Sequence, residues 1–168
     1  NYMNSLVAAL DEAARLKATA GIPQVAPDGF ALQAPGRPAA PELAGRPAAE
    51  EPRLDLQRAG WNGAQVGFRV YQDWLGVINA YSTTTKLPVY ITAANTFAPD
   101  EGTHPAQNYP RGWLTTALDV INGEPQVQAL CWFMDGLPGD SQWEWFSLSR
   151  RSGRMIDAAE ELDTLLRR

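Results

Sequence analysis

Three short apolar runs, each set between stretches of helical periodicity, constrain the fold of this chain more than any other feature. They are Gly29-Phe-Ala-Leu-Gln33, Leu87-Pro-Val-Tyr-Ile-Thr92 and the stretch from Val127 to Met134. The second is rich in β-branched and aromatic residues and carries its proline near the first position, where a strand tolerates the missing donor. Before the first run, Met3, Leu6, Val7, Leu10 and Ala14 recur at helical spacing and predict a helix over Met3–Ala18, with Gly21 as its stop. Phe68, Tyr71, Leu75 and Ile78 form one stripe of a second helix, and Val70, Trp74 and Val77 form another beside it. Trp113, Leu114, Ala117, Leu118 and Ile121 predict a third helix over Arg111–Asn122, ending at Gly123. Met155, Ala159, Leu162 and Leu166 predict a fourth over Arg154–Leu166. The order of helix and strand is that of an α/β protein. Strands without alternation of polarity are expected in parallel sheets covered on both faces.

About 35 residues separate the end of the second run from the start of the third. This is close to one strand-helix unit of a (β/α)₈ barrel, roughly one eighth of about 250 residues. A doubly wound open sheet has the same local pattern, but no glycine-rich phosphate turn follows any of the runs. With 168 residues the chain holds about three such units and not a whole barrel. It opens at Asn1 with a helix already under way, as expected of a piece of a longer chain.

Hydrophobic residues at 45% and charged residues at 20% place it among globular chains. A net charge of -5 argues against nucleic acid as the main partner. No run approaches the ~20 apolar residues of a membrane span. The single cysteine, Cys131, lies in Gln-Ala-Leu-Cys-Trp-Phe-Met and is expected to be a buried small hydrophobe. Between the first run and the second helix, residues 34–60 carry Gly36-Arg-Pro-Ala-Ala and again Gly45-Arg-Pro-Ala-Ala. This proline- and alanine-rich stretch reads as a loop insertion, without regular structure as far as Pro52.

Pro27-Asp-Gly-Phe-Ala-Leu-Gln33, Leu87-Pro-Val-Tyr-Ile-Thr-Ala-Ala-Asn-Thr96, Tyr109-Pro-Arg-Gly-Trp-Leu-Thr-Thr-Ala-Leu118 and Pro125-Gln-Val-Gln-Ala-Leu-Cys-Trp-Phe133 together resemble the late part of bacterial glycoside hydrolase-like barrels. The resemblance implies that residues 1–168 are the C-terminal segment, about three βα units, of a TIM (β/α)₈ barrel. In that family a strand reading Pro-Val-Tyr-Ile-Thr-Glu-x-Asn ends in the nucleophilic glutamate, and here Ala93 stands in its place. The acid/base carboxylate would belong to an earlier strand. Gln33 stands where relatives often carry histidine. A retaining glycosidase needs two carboxyl groups about 5 to 5.5 Å apart, and a methyl group does neither job. The resemblance therefore implies a pseudoenzyme, extracellular or at the cell surface, that binds saccharide or packs against another protein. No catalytic residue, metal ligand or cofactor is expected.

Barrel sites lie at the carboxyl ends of the strands, which singles out Gln33, Asn95, Trp132 and Asp135. Asn95 would either donate to a ligand hydroxyl or close an Asx turn. Trp132 would offer its face to a pyranose ring or fill the core. Trp143 and Trp145, in an acidic loop, would cover the mouth or anchor the loop. Asp100 and Glu101 are candidates for a displaced carboxylate or a solvated turn, and His104 reads as a surface histidine. Two other readings stay open: an active O-glycosyl hydrolase within a longer parent, and a structural subunit that completes its barrel with strands from the same chain or from another subunit.

Overall fold

The computed structural model describes residues 2–23, 26–36, 57–58, 64–65, 67–97, 102–135, 139 and 141–167. Helix α1 (Tyr2–Thr19) is followed by strand β1 (Phe30–Gln33), a two-residue ladder of β2 (Gln57–Arg58) with β3 (Ala64–Gln65), helix α2 (Val70–Asn79) and strand β4 (Val89–Ala94). A short helix α3 (Pro105–Asn108), helix α4 (Trp113–Asn122), strand β5 (Val127–Trp132), a 3₁₀ turn over Ser141–Phe146 and helix α5 (Met155–Leu165) complete the order. Each apolar run forms a strand and each periodic stripe a helix. The ladder of β2 with β3 falls partly within the segment read as a loop insertion, and residues 37–56 of that segment lie outside the described residues.

The three principal strands form one parallel sheet in the order β1, β4, β5, so β4 is central. Each consecutive pair is joined through a helix, as parallel pairing requires. Tyr71, Leu75 and Ile78 of α2 and Trp113, Leu114, Ala117 and Ile121 of α4 share one buried cluster with Leu32, Val89, Ile91 and Ala94 of the sheet. α5 adds Met155 and Ala158 to that cluster. One face of the sheet is thus the floor of the core.

The other face departs from expectation. Along β4 burial alternates, with Val89 and Ile91 fully buried and Tyr90 42% exposed. β1 repeats the pattern, Leu32 being buried while Ala31 and Gln33 are exposed. Ala31 pairs with Tyr90 and Tyr90 with Ala129, so these three stand on the open side. Cys131, between Leu130 and Trp132 of the helix side, is exposed and not buried. The apolar character of the runs had suggested cover on both faces; among the described residues only one face has it.

Between Ile91 and Ala94, β4 also carries one residue more than the facing stretch of each neighbour. From Leu32 to Gln33 on β1 the partner advances from Ile91 to Ala93, and from Leu130 to Trp132 on β5 it advances from Ile91 to Ala94. The extra residue between Ile91 and Ala94 is a bulge, which re-aims side chains at a strand end. It returns Ala94 to the helix side, where it is buried, and leaves Ala93 half-buried toward the strand ends. Backbone pairing continues past the strands, with Ala34 N–H donating to Ala93 O at 2.9 Å and Gly36 N–H to Asn95 O at 2.7 Å.

α1 packs against α2 and is tied at Asp11. The Asp11 carboxylate accepts from the Thr83 amide at 3.0 Å and its hydroxyl at 2.7 Å, and pairs with Arg15 at 3.1 Å. The stripe on α1 is shallower than its sequence suggests: Val7 and Ala14 are buried, but Leu6 is exposed.

Candidate functional site

The carboxyl ends of the three strands meet around a pocket of about 170 Å³ lined by Gln33, Pro35, Ala93, Asn95, Phe97 and Phe133. Three of the residues singled out by sequence, Gln33, Ala93 and Asn95, come together here. Pairing brings Gln33 directly beside Ala93. Among the described residues, no carboxylate, imidazole or cation lines the pocket. What it offers is two carboxamides, a methyl group and two aromatic rings.

Asn95 does close an Asx turn: its Oδ1 accepts the Phe97 amide at 2.8 Å. It also lines the pocket, so the two roles assigned to it as alternatives are compatible. The loop is pinned further on, where the buried Thr96 hydroxyl donates to Asn108 Oδ1 at 2.9 Å and Asn108 Nδ2 donates to Thr103 Oγ1 at 3.2 Å. This holds α3 against the end of β4 and fixes Phe97.

Behind Phe97 and Phe133 lies an aromatic cluster. Phe97 stacks parallel to His104 with ring centres 6.2 Å apart, and His104 lies 4.3 Å from Trp145. Phe133 meets Trp143 and Phe146 edge-on, and Phe97 meets Phe146 at 5.6 Å. Trp143 therefore supports the pocket from behind, as an anchor of its loop, and does not line it. Trp145 stays 46% exposed at the outer end of the cluster. His104 is not the surface histidine expected: it is half-buried between rings, and its Nδ1 has no hydrogen-bond partner among the described residues.

Two expected site residues lie elsewhere. Trp132 faces the helices, packing edge-on against Tyr109 and Trp113, and its Nε1 donates to Phe146 O at 2.7 Å. Asp135 is committed to the turn that follows the 3₁₀ segment. Its carboxylate accepts from Ser149 N–H at 2.8 Å and Ser147 Oγ at 3.1 Å. Partial burial opposes ionisation, but these hydrogen bonds prevail and hold its carboxyl below the usual range. Asp100 and Glu101 lie outside the described residues.

Pro35, Phe97 and Phe133 are the lining residues that sequence reasoning missed. Phe97 follows Asn95 by two positions on the same loop and was open to inspection. Phe133 was hidden by parity: Gln128 is an extra residue of β5 against Val89 and Tyr90, so Trp132 turns inward and Phe133 outward.

A larger depression of about 450 Å³ lies on the outer flank of α4 and α5, among side chains that already serve one another. Arg111 pairs there with Asp157 and Glu160, and Glu161 accepts from the buried Tyr109 hydroxyl and from Thr115. Burial and the neighbouring Glu161 carboxylate push the Tyr109 phenol far above its ordinary value, so it remains a neutral donor. Among the described residues no three metal-ligating side chains gather at one point, and no helix is long and apolar enough to cross a membrane.

The fold and pocket define the chain as an α/β protein with a three-stranded parallel sheet and a pocket at the carboxyl ends of its strands. No protein-family model, curated protein or solved structure matches it.

Proposed function

We propose that the chain is a segment of a glycoside hydrolase-like (β/α)₈ barrel whose pocket holds a saccharide without hydrolysing it. The single observation that carries the reading is the composition of the pocket at the end of β4. Carboxamides suit the hydroxyl rim of a sugar and aromatic rings suit its apolar face, while the bulged Ala93 presents a methyl group where chemistry would need a carboxylate. Parallel strands in sequential order, with helices on one face and outer strands that have no further neighbour among the described residues, support the barrel part of the reading.

The test is a calorimetric or ¹⁵N-NMR titration of the chain with cello-, xylo- and chito-oligosaccharides. Binding should perturb Gln33 and Asn95 side-chain amides, and Gln33→Ala should weaken it by about 0.5–1.5 kcal/mol. Turnover should be undetectable. Reproducible hydrolysis would overturn the reading, and so would oligosaccharide binding that leaves both amides unmoved. Should Ala93→Glu in the full-length parent create activity, the pocket retains the rest of a hydrolase site, and the alternative of a hydrolase site in the longer parent that lacks only its nucleophile gains its support.

A second reading has its own observation. Among the described residues one face of the sheet is open and the outer edges of β1 and β5 have no partner strand, which suits a module that completes its sheet with further strands of the same chain or of another subunit. Sedimentation that finds only a stable monomer at all concentrations argues against a second subunit.

A further inference from the structure

Trp113 does not line the pocket at the strand ends, yet its ring reaches the backbone that frames it. We propose that Trp113 is a positioning residue of that pocket, which sets through Gly36 how Pro35 and Asn95 stand relative to each other. What the pocket holds rests on the saccharide reading, whereas the coupling to Trp113 does not.

Past the ends of their strands, β1 and β4 are clasped by two hydrogen bonds, from Ala34 N–H to Ala93 O and from Gly36 N–H to Asn95 O. Pro35 lies between the two donors, and Pro35, Ala93 and Asn95 all line the pocket. The second bond forms where the Trp113 ring meets the chain. A Cβ built on Gly36 would fall on that ring, 2.8 Å from its Cε2 and 2.8 Å from Asn95 O. Residue 36 therefore sits in a notch between the indole edge and the Asn95 carbonyl, with room for a hydrogen atom and not for a methyl group.

The wedge is firm. Trp113 is 1% exposed, and Phe68 meets it edge-on at 5.4 Å and Trp132 at 6.2 Å. Its Nε1 makes no hydrogen bond among the described residues, so packing alone holds the ring. The same indole helps to wall an apolar chamber of about 220 Å³ on the helix side of the sheet, with Ala94, Leu114, Leu118, Leu130 and Trp132. Close-packed interiors transmit strain, so a change in the size of this ring reaches the clasp. A shift of the Asn95 carbonyl carries with it the carboxamide that the same residue offers to the pocket.

A double-mutant cycle on the ¹⁵N-labelled full chain tests this. Trp113→Phe withdraws the edge that meets Gly36, and Gly36→Ala drives a methyl group into it. Each single substitution should displace the Asn95 side-chain amide resonance. In the double variant the methyl group takes the space that the smaller ring leaves, and the resonance should return toward its parent position. A mere loss of ring current would persist there. Cellotriose affinity should fall at least about fivefold in each single variant and recover in the double, as expected of coupled neighbours. Ile121→Ala removes core packing eight residues further along α4, about 12 Å away, and should leave both the resonance and the affinity in place.

The proposal is overturned by single variants that leave the Asn95 amide unmoved, by displacements that simply add in the double variant, or by Ile121→Ala moving that amide as far as Trp113→Phe does. If Trp113→Phe does not fold, Gly36→Ala decides, since it must then displace the Asn95 amide and the Trp113 indole together. If cellotriose does not bind the parent, the saccharide reading loses its support, while the Asn95 displacements and their cancellation still decide the role of Trp113.

Discussion

The two faces of the sheet are built from the same few residue types and live in different surroundings. Toward the helices, Leu32, Val89, Ile91 and Ala94 are buried under Tyr71, Ile78 and Trp113. Away from them, Ala31, Tyr90 and Cys131 meet no such cover among the described residues. An apolar strand residue is therefore no measure of burial by itself; burial depends on which partner element lies across from it. The candidate pocket belongs to the less covered side, while the chamber behind Trp113 belongs to the other.

The comparison breaks most readily at the centre of β4. Ile91→Ala deletes a fully buried side chain against two helices and should cost about 2–5 kcal/mol, read from the shift of a urea midpoint at constant slope. The adjacent Tyr90→Thr, on the open face, keeps a β-favouring residue and should cost less than about 1 kcal/mol. Equal costs would mean that both faces are packed in solution, and the distinction between them would fall.

Smaller, and aimed at the join between the faces, is Gly36→Ala. A Cβ there would run into the Trp113 ring and come within 2.8 Å of Asn95 O, to which the Gly36 amide donates. Overpacking of this kind costs about 1–3 kcal/mol. Because Asn95 lines the pocket and Trp113 the chamber, the substitution should disturb both, visible as shifts of the Asn95 side-chain amide and the Trp113 indole in one ¹⁵N spectrum. A change confined to one of them would show the pocket and the chamber to be mechanically separate.

The helical cover has an edge that pH can loosen. The Thr83 amide and then its hydroxyl hold the Asp11 carboxyl below the usual range against the opposing effect of burial, with Arg15 and Ser82 adding to the depression. A folded-state pKa below the unfolded one gives stability that is fully present at neutral pH. That stability fades as pH falls below about 3.9 and through the depressed folded value. The difference in thermal midpoint between the parent and Asp11→Asn should therefore be largest near pH 6 and shrink toward pH 2. A difference that does not change with pH would remove the charge of Asp11 from the account of how α1 is held.

Much of the scaffold was legible because it rests on period and length. The helical stripes at Tyr71, Leu75 and Ile78 and at Trp113, Ala117 and Ile121 point inward as their spacing requires, and Val89–Ala94 forms within two residues of its expected span. Gln33, Ala93 and Asn95 could be brought together in advance because strand ends in parallel sheets lie on one side. Trp132, Asp135 and Cys131 could not be placed, for a common reason. Single extra residues, near Thr92 in β4 and at Gln128 in β5, change which side chain faces which way, and a bulge leaves no mark in composition or periodicity. Asp135 was further hidden because its partners, Ser147 and Ser149, become its neighbours only after the 3₁₀ turn brings them back.

The gentlest probe of the comparison alters no packing at all. Cys131 is exposed on the open face, and as the single cysteine of the chain it gives one unambiguous signal. If that face is bare in solution, an aromatic disulfide reagent should modify Cys131 in the native protein at a rate within about tenfold of the unfolded chain, since thiol reactivity follows access and thiolate fraction. Protection would instead mean that something lies over Ala31, Tyr90 and Ala129. Dilution then separates the sources. A second copy leaves the face as concentration falls and the protection goes with it, whereas cover supplied by the same chain keeps Cys131 slow at every concentration. Concentration-dependent protection would turn the contrast between the faces into one between a core face and an interface.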